Sequence, residues 1–138
     1  MPTLVPAAQA WLEAFVKTHG GIAGTVHRRE GDNLLLSAAV NIPPPVVAIT
    51  ATVPKGKGMA GLALERRQPV QTCNLQTDKT GDVRPGARAV NAQAAVALPV
   101  PDGKGEVRAV VGIAFAHEQE LAPTTLQKLS ADAATAPA

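Results

Sequence analysis

Residues 53–70 read VPKGKGMAGLALERRQPV, and the six from Gly56 to Gly61, GKGMAG, match the spacing G-x-G-x-x-G. Two uses of glycine share that spacing. In a dinucleotide site the glycines let backbone amides reach a pyrophosphate at a helix N-terminus, inside a βαβ unit. In a packing turn they let the chain reverse from strand to helix, where a Cβ would be strained, and let the helix sit close to its sheet. The surroundings decide between them, because a phosphate cradle needs parallel crossovers and a packing turn does not.

Some features favour the cradle. An apolar run precedes the glycines, a short helix is predicted from about 58 to 67, and Asp78 lies about 20 residues on, where a ribose-binding acid belongs. The chain beyond Arg67 argues against it. A brief strand at roughly 70–73 leads into the long polar stretch NLQTDKTGDVRPGARAVN (74–91), and then two apolar runs, 93–100 and 106–116, flank PDGKG at 101–105. Apolar runs around such a turn signal a hairpin, hence antiparallel strands and no crossover. Pro54 also stands between strand and glycines. A Walker loop would end in GK[ST], and a kinase-type loop would need HRD and DFG companions; the sequence has none of these. The glycines are therefore assigned to packing: Gly56 and Gly58 to the turn, Gly61 to close approach.

Working outward, Leu4, Ala8, Trp11 or Leu12, and Phe15 recur at helical spacing, predicting a helix over about 4–18 that Gly20-Gly21 ends. Residues 22–29 and 34–42 read as strands around a turn at EGDN (30–33). Leu34, Leu36, Ala38, Val40 and Ile42 alternate, which places all five on one core face. The prolines at 43–45 interrupt pairing, and VVAITATV (46–53) reads as a further strand. A closing helix is predicted over about 119–131, with Leu121, Leu126 and Leu129 on its apolar side, followed by a frayed tail at 132–138. The expected fold class is α+β: one antiparallel sheet of about six strands, the terminal helices on one face, the short helix and long loop on the other.

Composition narrows the function classes. The chain has 138 residues, the length of one domain, with 46% hydrophobic and 17% charged residues. Its single cysteine excludes an internal disulfide and any multi-cysteine zinc site. Nothing resembles a signal peptide or a spanning segment, so a cytoplasmic location is expected, without membrane association. From Pro54 to Arg108 there are nine Lys/Arg against five Asp/Glu, while the whole chain carries +2. That bias is mild, and with two Phe, one Trp and no Tyr there is little to stack bases, so nucleic acid is not an expected partner.

The order of elements around GKGMAGLALERRQPV resembles the GAF domain family. CNLQTD fills the slot where a strand enters the variable loop and an Asp commonly sits; AAVALPVPDGKGEVRAVVGIAF is similar to the final hairpin. The likeness covers about residues 5–131 of a single domain, 1–138. It implies a small-molecule pocket between the sheet and the loop elements, drawn from residues 70–95 and the short helix. Reductases of free methionine sulfoxide in this family use several cysteines, whereas Cys73 stands alone. Bilin-binding members often follow their cysteine with His, and here Asn74 follows. The N-K-x-F-D pattern of cyclic-nucleotide members is absent around Asn91.

The candidate ligand-binding residues are Cys73, Asp78, Lys79, Arg84, Arg88 and Asn91; the arginine forks suit a carboxylate or phosphate. Cys73 reads foremost as a buried, inert strand residue, and secondarily as a redox-sensing thiol. His19, His27 and His117 have no ligand spacing, so no metal and no cofactor are expected, and His19 is read as helping to close the first helix. No catalytic constellation assembles and no enzyme is expected. The leading expectation is a non-catalytic sensory domain binding a small polar, possibly anionic, ligand under 74–92. A ligand-free dimerisation module is the second, and a thiol redox protein using Cys73 the third. The alanines at 92, 94, 95 and 97 leave room either for a cavity or for collapse. Apolar residues on both terminal helices predict a homodimer.

Overall fold

The computed structural model describes residues 4–73 and 92–137. The elements are α1 (Pro6–Thr18), β1 (Ala23–Glu30), β2 (Asn33–Val40), α2 (Pro44–Thr50), β3 (Thr52–Pro54), α3 (Gly58–Arg66), β4 (Val70–Thr72), β5 (Ala94–Pro101), β6 (Val107–Phe115) and α4 (Pro123–Ala133). The strands form one antiparallel sheet in the order β3-β2-β1-β6-β5-β4. The hairpin expected around 101–105 is β5–β6, where the Asp102 carboxylate accepts hydrogen bonds from the backbone N–H groups of Lys104 and Glu106.

The α+β arrangement matches expectation. The stripe Ala8, Leu12, Phe15 and Val16 of α1 packs with Leu121 and Leu129 against Val96, Leu98, Val111 and Ile113, the main core. On the opposite face α3 places Ala63 and Leu64 against Leu34, Val53, Val70 and Val110. Burying such side chains stabilises each face by roughly 1.5–3 kcal/mol per large aliphatic group.

Three local expectations are corrected. Residues 44–50 are helical, not part of a strand over 46–53. Pro44 and Pro45 occupy the first turn, where their missing amide hydrogens and fixed φ suit a helix start. Burial of Val46 then overrides the strand preference of Val47, Ile49 and Thr50, and the Thr50 hydroxyl back-bonds to the Val46 carbonyl at 2.8 Å.

Second, Leu34, Leu36, Ala38 and Val40 do not share a face. Val26 pairs with Ala38 while His27 pairs with Leu36, so Ser37 is a bulge residue. The extra residue sends Leu34 to the α3 side and Ala38 and Val40 to the α1 side.

Third, the tail is packed. Ala136 is 2% exposed. Arg108 donates to the carbonyls of Ala134 and Ala136, both at 2.9 Å, and the Trp11 indole N–H donates to Thr135 Oγ1 at 3.0 Å. Deleting residues 134–138 is therefore expected to lower unfolding free energy by about 2 kcal/mol, from the loss of charge-assisted bonds at Arg108. Urea denaturation tests it; an unchanged midpoint would restore the frayed tail.

Candidate functional site

The glycine turn is a mechanical part of the fold. Gly56 and Gly58 have φ of +85° and +64°, in the left-handed region. The Gly56 N–H donates to the Gly61 carbonyl at 2.9 Å, and the Lys57 N–H to the Pro54 carbonyl at 3.1 Å. A Cβ on Gly61 would run into the Pro54 carbonyl oxygen. These bonds tie α3 back onto the end of β3.

That docking leaves a cavity of about 170 Å³ between the sheet, α2 and the start of α3. Its floor follows from strand register. Ala23 of β1, Ala114 of β6 and Ala95 of β5 lie in one cross-strand row, and Thr25, Gly112 and Ala97 in the next. All six line the cavity, none larger than threonine. Alternate residues of the same strands, Val26, Val96, Leu98, Val111 and Ile113, fill the core behind. Val46 and Ile49 of α2 and Met59 of α3 complete the walls, with Ile49 half exposed at 53%.

The next row brings His27, paired with Val110. Its side chain lines the cavity and the residue is only 3% exposed. Nε2 lies 2.8 Å from the Thr50 carbonyl at the end of α2. Because a carbonyl only accepts, Nε2 is the donor and carries the hydrogen. Burial pushes the His27 pKa below the ordinary histidine value, against a smaller opposite effect of the Thr50 hydrogen bond. The ring is thus held neutral, with Nδ1 as an acceptor. Nδ1 has no hydrogen-bond partner among the described residues.

The ligand-binding residues expected from sequence distribute differently. Asp78, Lys79, Arg84, Arg88 and Asn91 lie outside the described residues. Cys73 lies one residue beyond β4 and is exposed, not a buried strand residue. Three strand residues suffice for β4, and the Cys73 carbonyl accepts from the Gln119 N–H at 3.3 Å. Cys73 does not line the cavity. Its thiol therefore does not serve as the core filler expected of it. The alanines expected to govern the pocket divide by strand periodicity: Ala95 and Ala97 line it, while Ala94 faces the α1 core.

In the sequence His27 is one of three scattered histidines. The available signal was its place two residues after Thr25 and four after Ala23, on one strand face. His19 does close α1, as its C-cap, and its Nε2 meets Asp132 of α4 at 2.7 Å. Among the described residues, no group of three His, Cys, Asp or Glu could hold a metal. No helix among the described residues is long and apolar enough to cross a membrane.

A sheet flanked by terminal helices on one face, with a glycine turn, a short helix and a cavity on the other, defines a class of domain. The family model for the GAF domain matches residues 6–136, and the chain belongs to that family. Among curated proteins none matches its sequence. Solved structures share the fold. The GAF domain of a phosphoenolpyruvate-protein phosphotransferase from Coxiella burnetii superposes with a TM-score of 0.73 at 17% identity, over 98% of this chain and 78% of that one. The GAF domain of the Acinetobacter phosphoenolpyruvate-protein phosphotransferase gives 0.71 at 15%, over 97% and 81%. The type II free methionine-R-sulfoxide reductase of Thermoplasma acidophilum gives 0.70 at 17%, over 89% and 82%. At such identities the likeness is one of fold; both enzymes and GAF regions of other proteins carry it.

Proposed function

We propose that this chain is a non-catalytic GAF-type sensory domain that binds a small molecule in the cavity between the sheet, α2 and α3. The carrying observation is the floor of six small residues, set in two adjacent cross-strand rows. A pocket filled by its own side chains, as in a purely dimerising relative, would place large residues there. The described lining is mostly aliphatic, with His27, Thr25, Thr50 and Lys57 as its polar members. Reductase chemistry is disfavoured by the lone cysteine: a sulfenic acid formed on Cys73 has no second thiol in the chain to condense with.

Native mass spectrometry of the purified protein tests the reading. Ala95→Leu, which puts a larger side chain over the floor, is expected to abolish any retained mass while preserving or raising the melting temperature. Retention of the same mass by the variant would place the ligand elsewhere.

Self-association belongs to the same reading, with a reduced basis. Leu12, Phe15, Val16, Leu121 and Leu129 are buried in the chain's own core, and Trp11 stacks on Phe15 with ring centroids 4.8 Å apart. On the terminal helices and their approaches, Leu4 is the large apolar residue left exposed among the described residues. Sedimentation equilibrium decides the matter, since one concentration-independent species near 14.1 kDa excludes the dimer.

A further inference from the structure

Among the described residues two buried side-chain polar atoms lack a hydrogen-bond partner, His27 Nδ1 and Ser37 Oγ. Of these two residues, His27 lines the cavity. The Thr50 carbonyl fixes the hydrogen on Nε2, so Nδ1 offers a bare lone pair. An unpaired buried acceptor is unfavourable; Nδ1 is itself covered while its ring lines the cavity, so a small displacement of the ring is what would bring it a partner from outside. Water is a poor candidate, because a buried water typically makes about three hydrogen bonds. Beside His27 the floor supplies the Thr25 hydroxyl and otherwise methyl and Cα groups from Ala23, Ala95, Ala97, Gly112 and Ala114.

We propose that the cavity takes a small uncharged molecule with an apolar body and one O–H or N–H group, which donates to His27 Nδ1. This rests on the cavity being the ligand site and narrows the class of ligand. Size sets the scale: a cavity of about 150 Å³ accommodates benzene, and this one measures about 170 Å³, with the half-exposed Ile49 in its wall. Polarity sets the rest. A carboxylate or phosphate placed against His27 Nδ1 would oppose lone pair to lone pair, whatever attraction Lys57 offers elsewhere in the lining, and no carboxylate among the described lining residues would balance a cation. A hydroxyl satisfies Nδ1 as donor and can accept from Thr25 on the same strand face.

Phenol and toluene, equal in heavy-atom count and shape, separate the hydroxyl from the ring. Their affinities are measured by calorimetry on the wild type, His27→Leu and Ala95→Leu. In parallel, the imidazole ¹⁵N resonances of the wild type are followed during each titration. The expected result is a phenol-to-toluene affinity ratio that falls at least about tenfold in His27→Leu. The Nδ1 resonance should move upfield with phenol and hold with toluene. A ratio that does not change, with an unmoved Nδ1 resonance and binding still lost in Ala95→Leu, overturns the role of His27 and leaves the cavity as the site. If neither probe binds the wild type, the site assignment and this inference both fall. Should His27→Leu not fold, the wild-type resonances decide alone.

Discussion

Gly61→Val is expected to lower unfolding free energy by about 3 kcal/mol or more, the upper range for overpacking a tight contact. The melting temperature should fall by roughly 10 °C or more. The reason is geometric. A Cβ at position 61 meets the Pro54 carbonyl oxygen, a backbone atom with no rotamer to move, and the Gly56 backbone at 3.2 Å. The helix must lift from β3, breaking the Gly56–Gly61 hydrogen bond and opening the second core around Ala63 and Leu64. Gly58→Val acts by another route: its φ of +64° is strained for a β-branched residue, with an expected loss of about 1–3 kcal/mol. Thermal and urea melts of both variants provide the test. A phosphate-cradling loop would behave differently, losing nucleotide affinity while the melts barely moved. Unchanged midpoints in both variants would reject the packing role of the turn.

What the sequence discloses of this fold follows from whether local chemistry and tertiary context agree. The β5–β6 hairpin is legible because two apolar runs and the PDGKG turn between them specify one structure. α2 is illegible because its β-branched residues favour a strand, and burial of Val46 after two prolines wins. The Ser37 bulge is hidden for a related reason: apart from Ser37 itself, β2 is apolar at every position from Leu34 to Val40, so neither face is marked, and the one-residue shift arises from pairing with β1. The cavity floor stands between these cases. Alanines at 95 and 97 and glycine at 112 are visible as small residues, but that they adjoin Ala23, Thr25 and Ala114 is a matter of register. His27 is harder still, since what matters about it is the Thr50 carbonyl, brought there by a helix the sequence conceals. The alanines leave a cavity and a collapse equally open from sequence, and nothing in their pattern marks the polar group beside them.

The buried histidine also sets the acid limb of stability. Burial disfavours the imidazolium, so the folded-state pKa of His27 lies below the unfolded value of about 6.5. As pH falls beneath that value the unfolded chain takes up a proton at His27 that the folded chain refuses. Stability is therefore fully present above the unfolded pKa and is lost as pH falls toward the folded one, with a slope of at most about 1.4 kcal/mol per pH unit from this group. Lys57, the charged residue in the described lining, carries a positive charge and gives the imidazolium no relief. Asp102, chiefly through the Lys104 backbone N–H, and Glu106, chiefly through Arg29, are held below the usual carboxylate range. Their stabilisation is lost at lower pH, below about 4. Of these three groups, His27 is the one that acts between about pH 6.5 and 5. Urea denaturation of wild type at pH 7.5, 6.5 and 5.5 should show a progressive fall, and His27→Leu a shallower slope over the same points. The leucine variant will start lower at pH 7.5, because the Thr50 carbonyl loses its donor, so the slopes and not the absolute values carry the comparison. Parallel slopes for the two proteins would mean that His27 ionises as freely when folded as when unfolded. The burial assigned to its ring would then be wrong.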